Sequence, residues 1–330
     1  MMFILALLFL ALVFFIILAK GADLLVGNLR ALTDKTKIHP VLLGTILGLL
    51  TTMPELMVGL NALRQDVPAV SLGNIWGGVV VISALILGLS IVLQREIKTD
   101  GHLLVVLPSF VFILLSLFLG LKGSFHYYDG LLLFAFYLIL IYFDYLSGSR
   151  YQKDKSAEAA VLTAELAPKT LQRMENHWLY WRRELSVETW WAVIGLFMLS
   201  ISSYALMELT GMAMEIFSLP PFLVGVLVFS IGTNLPEIMV MFRALKTKNG
   251  DLSFGHLIGS AVSNILVLAL LSIMMPIVVV QSWTYYILII FIALILSAIA
   301  IFYVSKKKFQ RWEGIVLLGL YLLFVIYQLL

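Results

Sequence analysis

Apolar residues run through this chain in ten long blocks. Each is close to the about 20 residues a helix needs to cross a bilayer. The blocks lie at approximately 3–31, 40–64, 69–93, 103–121, 127–147, 187–217, 221–245, 252–279, 283–305 and 312–329. The only long polar stretch is 148–186, rich in Lys, Glu and Ala. It separates five blocks from five. The pattern predicts an all-α polytopic membrane protein of ten transmembrane helices. Its parts are a five-helix repeat over 1–147, a cytoplasmic linker over 148–186 and a second five-helix repeat over 187–330.

Composition agrees with membrane burial. The chain is 62% hydrophobic and 12% charged, with mean hydropathy +1.03, whereas a soluble domain is about half apolar and a quarter charged. With no cysteine, disulfides and thiolate metal sites are excluded. No basic or aromatic cluster points to nucleic acid. Met1 to Ala19 lacks the basic start and the cleavage site of a signal peptide and reads as an uncleaved first span.

The distribution of charge predicts the topology. Loops after spans 1, 3, 5, 7 and 9 hold 19 of the 22 Lys and Arg, and the other loops hold only Arg64 and Lys122. Basic loops face the cytoplasm. Both termini therefore face outward, in the plasma (cytoplasmic) membrane. Five spans per half is an odd number, so the second half enters the membrane from the opposite side. The two repeats are inverted about an axis in the membrane plane.

Within this frame one pattern carries chemistry. Thr51-Thr52-Met53-Pro54-Glu55 recurs 182 residues later as Thr233-Asn234-Leu235-Pro236-Glu237, and 11 of the 30 positions in 51–80 are identical at that offset. Residues three and four apart share a helix face, so Thr51, Thr52 and Glu55 point one way. Proline removes an N–H and bends the helix, freeing the carbonyl of Leu50 in the first half and Gly232 in the second. A carboxylate, hydroxyls and a freed carbonyl make an all-oxygen site for a hard cation such as Na⁺ or Ca²⁺. An ordinary proline kink with a chance carboxylate accounts for one such motif. Two in register mark a functional site. Inversion brings Glu55 and Glu237 into one pocket, where a cation or proton relieves their repulsion.

The neighbouring spans are less equal. Gly255 to Asn264 places Ser260 and Asn264 one turn apart, where they complete the oxygen shell or bond between helices. In the first half the matching positions are Gly78 and Ile82, with no side-chain oxygen. Asp23 and Glu208 lie toward helix ends, and the five histidines are scattered.

The paired motifs resemble the two α-repeats of the calcium/cation antiporter superfamily, which includes sodium/calcium exchangers. Its signature is G-T-S-L-P-E followed by G-N-x-x-G-S-N-x-x-N/D. Gly232 to Glu237 with Gly255 to Asn264 look like the second repeat. Thr51 to Glu55 with Gly73-Asn74-Ile75-Trp76-Gly77 look like the first. The resemblance implies that Glu55 and Glu237 ligate Ca²⁺, with Thr51, Thr52, Thr233, Asn234, Ser260 and Asn264 around them. It further implies that Na⁺ competes for overlapping positions and that a pair of helices slides to alternate access. Leu50, Asn234, Gly78, Ile82 and Asn264 depart from the pattern, and the first half is one residue shorter between Gly44 and Pro54 than the second between Gly225 and Pro236. Fewer monovalent ions per divalent ion are expected to follow.

The expectation is a secondary cation antiporter moving Ca²⁺ against Na⁺ or H⁺, sufficient as a monomer in membrane lipid, without a cofactor and not an enzyme. The alternatives are an antiporter for K⁺ or Mg²⁺ and a degenerate, non-transporting sensor or scaffold.

Overall fold

The computed structural model describes residues 2–35, 51–94, 96–99, 103–146, 177–246, 254–306 and 308–330. The first half holds helices α1 (Met2–Lys35), α2 (Met53–Arg64), α3 (Pro68–Gln94), α4 (Leu103–Gly120) and α5 (Tyr127–Leu146), with short strands β1 (Glu96–Lys98) and β2 (Ser124–Phe125). The second half holds α6 (His177–Phe217), α7 (residues 221–233), α8 (Leu235–Lys246), α9 (Phe254–Met274), α10 (Trp283–Lys306) and α11 (Arg311–Leu329), with strands β3 (Ile277–Val278) and β4 (Lys308–Gln310).

The protein is mostly helical and membrane-spanning. Seven described segments are long and apolar enough to cross a bilayer: Leu5–Asn28, Pro68–Gln94, Val187–Phe217, Pro221–Phe242, Phe254–Met274, Trp283–Ser305 and Arg311–Leu329. Shorter apolar stretches lie in α4 and α5. The start of the expected second span, with Leu50, and residues 148–176 of the linker lie outside the described residues. Two boundaries differ from expectation. Helix α6 begins at His177, inside the stretch read as linker. The eighth span stops at Met274, not 279, because Pro276 disfavours helix at Met275 and lacks the N–H to extend it.

Helices α3 and α9 form the centre. In each, 83% of the most apolar window is buried, against 33% in α1 and 28% in α11, so the outer helices present apolar faces to lipid. Trp76 of α3 is fully buried among Phe125, Phe222 and Tyr285. Its indole N–H donates to Ser116 Oγ over 3.1 Å, and the Tyr285 hydroxyl donates to the Leu117 carbonyl over 2.8 Å. Both rings are buried with their donors satisfied, as aromatic residues with polar tips require.

Close helix contact rests on glycine. Where α3 meets α7, a Cβ on Gly225 would lie 2.9 Å from both the Gly73 Cα and the Asn74 N. Only glycine lets two backbones approach this closely. Two small antiparallel ribbons tie the halves together. In one, β1 pairs with β4, Ile97 opposite Phe309; in the other, β2 pairs with β3, Phe125 opposite Ile277. Each ribbon joins the segment after a central helix to the segment before an outer helix of the other half.

Candidate cation site

The two Pro-Glu motifs sit at matching interruptions. Thr52 has φ −94° and ψ 11°, and Asn234 has φ −89° and ψ 12°. In each case helix restarts at the next residue, as α2 and α8. Pro54 and Pro236 fall in the first turn, where an N–H has no helical acceptor to bond. In the second half the Gly232 carbonyl faces the Asn234 N–H, two residues on.

The helix before the second interruption is not regular. Residues Gly225–Phe229 form a π turn. A π turn takes up one additional residue, and the second half is one residue longer between its glycine and its proline. The first-half counterpart, Gly44, lies outside the described residues.

Glu55 and Glu237 each occupy the first turn of the restarted helix, where the helix dipole places about half a positive charge. Both are buried, at 1% and 7% exposure. The two carboxylates are close enough to repel one another. Glu237 Oε1 accepts a 3.2 Å hydrogen bond from Ser260 Oγ on α9. The Thr233 hydroxyl lies within hydrogen-bonding reach of Glu55. Neither Glu55 Oε2 nor Glu237 Oε2 has a partner among the described residues. A buried carboxylate costs several kcal/mol without a compensating charge, so this pocket favours a cation.

Neutral polar groups line the rest. Thr233 Oγ1 lies 2.9 Å from Asn74 Oδ1 and 3.0 Å from the Phe229 carbonyl, and its single proton bonds one of them at a time. Asn234 Nδ2 donates to the Ser230 carbonyl over 2.7 Å, and its Oδ1 has no partner among the described residues. Asn264, 1% exposed, turns its amide toward Gly78; its Nδ2 lies 2.5 Å from where a Cβ on Gly78 would stand. Thr52 is buried at the first interruption and Thr51, half-buried, precedes it. Thus Glu55, Glu237, Thr233, Ser260, Asn234 and Asn264 converge, with Thr51 and Thr52 on the chain entering α2.

One residue extends the candidate set. Asn74 is fully buried with its Nδ2 unpartnered among the described residues. The Gly73-Asn74 pair was visible in the sequence, but its second-half counterpart is His256, which hid the role. Among the described residues no three His, Asp or Glu side chains form a group that could hold a metal ion; the candidate set is two carboxylates among neutral oxygens and amides.

The model of the family "Sodium/calcium exchanger protein" matches residues 6–146 and 187–330. The chain is similar to the sodium/calcium exchanger MaX1 of Methanosarcina acetivorans, 24% identical over 94% of this chain and 95% of that protein. It is similarly related to an uncharacterized membrane protein of Methanocaldococcus jannaschii, 23% identical over 93% of each. Among solved structures it resembles the sodium-calcium exchanger NCX_Mj soaked with Na⁺ and Sr²⁺, with TM-score 0.60 and 20% identity, covering 98% of both chains.

Proposed function

The chain belongs to the sodium/calcium exchanger family, and on that premise we propose that it exchanges Ca²⁺ for Na⁺ or H⁺ around Glu55 and Glu237. Family and fold make it an integral membrane cation antiporter; the ions and the site are the proposal. The observation that carries it is the pair of buried glutamates, each in the first turn of a helix that restarts after the same interruption. Two negative charges balance one Ca²⁺ or two monovalent ions. Thr51, Thr52, Thr233, Asn234, Ser260 and Asn264 supply neutral oxygens around them, a donor set of the kind hard cations take. Because both loads neutralise the same pair, they exclude one another. That exclusion couples their movements when the pocket opens to one side at a time.

The architecture proposed is ten spans in two inverted five-helix repeats, 1–147 and 187–330, joined by a cytoplasmic linker. Both termini face outward in the plasma membrane, and one chain suffices for transport. Several equivalences support the repeat. Ribbon β1–β4 and ribbon β2–β3 join equivalent segments of opposite halves. At the start of α5, Asp129 Oδ2 accepts from the His126 N–H over 3.0 Å; at the start of α11, Glu313 Oε2 accepts from the Gln310 N–H over 2.7 Å. Helix α3 packs on α11 as α9 packs on α5.

The test is isotopic Ca²⁺ flux into proteoliposomes under separate Na⁺ and pH gradients. Uptake driven by either gradient, and lost in Glu55→Gln and Glu237→Gln, is the expected result. Wild-type rates in both variants would overturn the site.

A further inference from the structure

The two carboxylates do not have equal surroundings. Glu237 holds the Ser260 hydroxyl at 3.2 Å. The position equivalent to Ser260 in the first half is Gly78, which brings no hydroxyl. Nor is that space open. A Cβ on Gly78 would meet Asn264 Nδ2 at 2.5 Å and Asn234 Nδ2 at 3.1 Å. Either orientation of the Asn264 amide fills the same volume, because its two ends are nearly alike in size. The position equivalent to Asn264 is Ile82, which is fully buried and apolar. Asparagine at 264 is neutral, so the amides fill this volume without adding a charge.

Resting on the antiporter reading, we propose that the site is one-sided and that Gly78 and Asn264 set the coupling ratio. A monovalent cation has a position of its own only beside Glu237, at the Ser260 hydroxyl. In the first half that position is filled by the Asn234 and Asn264 amides over Gly78. The second monovalent ion uses the central place between the carboxylates that the divalent ion also takes. Two monovalent ions then replace one divalent ion, and no net charge crosses the membrane.

The experiment measures Ca²⁺ uptake into proteoliposomes at clamped potentials of zero and 100 mV, driven by a Na⁺ gradient and separately by a pH gradient. The expected result is the same final Ca²⁺ ratio at both potentials and a dependence on the driving ion no steeper than second power. An exchange carrying one net charge would shift the final ratio by about 50-fold at 100 mV. That result in the wild type overturns the inference while leaving antiport intact. Absence of Ca²⁺ uptake under both gradients overturns the antiporter reading and the inference with it. Asn264→Asp, which adds a third carboxylate over Gly78, is expected to introduce dependence on potential. Ser260→Ala is expected to raise the half-saturating Na⁺ concentration tenfold or more; an unchanged value would overturn the assignment of the Glu237 side.

Discussion

The amide of Asn61 on α2 donates to the hydroxyl of Ser203 on α6 over 2.7 Å, with both residues buried. One turn to either side the contact continues, with Ser200 Oγ at 3.8 Å from Met57 Sδ and Gln65 Nε2 at 3.1 Å from Glu208 Oε1. The helix that carries Glu55 is therefore tied to α6 along its length. A hydrogen bond between membrane helices contributes about 0.6 kcal/mol on average and at most about 1.7. Asn61→Leu and Ser203→Ala should each lower thermal stability in detergent. Their double variant should lose less than the sum, with a coupling of about 1 kcal/mol.

Neutralising either glutamate should abolish exchange while leaving the fold intact, since Gln keeps the shape and removes the charge. One remaining carboxylate supplies only half the charge that balances Ca²⁺ in a buried site. Ca²⁺ affinity should fall at least tenfold in Glu55→Gln and in Glu237→Gln, as read by Ca²⁺ binding to the purified protein.

Acid should inhibit Ca²⁺ binding. Cations bind the ionised carboxylates and protons bind the same oxygens, so affinity falls as pH falls. The dependence should become shallower in Glu237→Gln, which has one carboxylate fewer to protonate. Ca²⁺ titrations at several pH values check this, and equal slopes in wild type and variant would contradict it.

Gly225→Leu should prevent folding. The added atoms would meet the Asn74 N and the Gly73 Cα, which are backbone and cannot rotate away. Overpacking costs about 1–3 kcal/mol when side chains can yield, and here they cannot. Loss of the monodisperse peak in size-exclusion chromatography is the expected readout.

Glu313→Ala should cost about 1 kcal/mol by removing the capping box at the start of α11, where Glu313 bonds the Gln310 N–H and the Gln310 side chain returns the bond. Asp129→Ala should cost more, because Asp129 also pairs with Lys122. Thermal unfolding of the two variants side by side checks the order.

The membrane class was legible because apolar run length is a one-dimensional property. The glutamate pair was legible because a carboxylate beside proline at membrane depth is too costly to recur in register by chance. The π turn at Gly225–Phe229 became visible only in the backbone, because no residue type along the chain marks it. Asn61 and Ser203 read as isolated polar residues, because nothing in the spacing along α2 indicates which helix lies opposite. The amides over Gly78 were equally hidden: the sequence displayed a missing hydroxyl, and only packing revealed that two side chains fill its place. The short ribbons escaped because two or three residues carry no usable period.

Those ribbons have a consequence for how the molecule can be made. Each joins a segment from residues 1–147 to one from residues 187–330, and the Gly73–Gly225 contact between them adds a third seam. Once assembled, the halves are held by these seams. Two separate genes, one for each half, should therefore yield a working exchanger when expressed in the same cell.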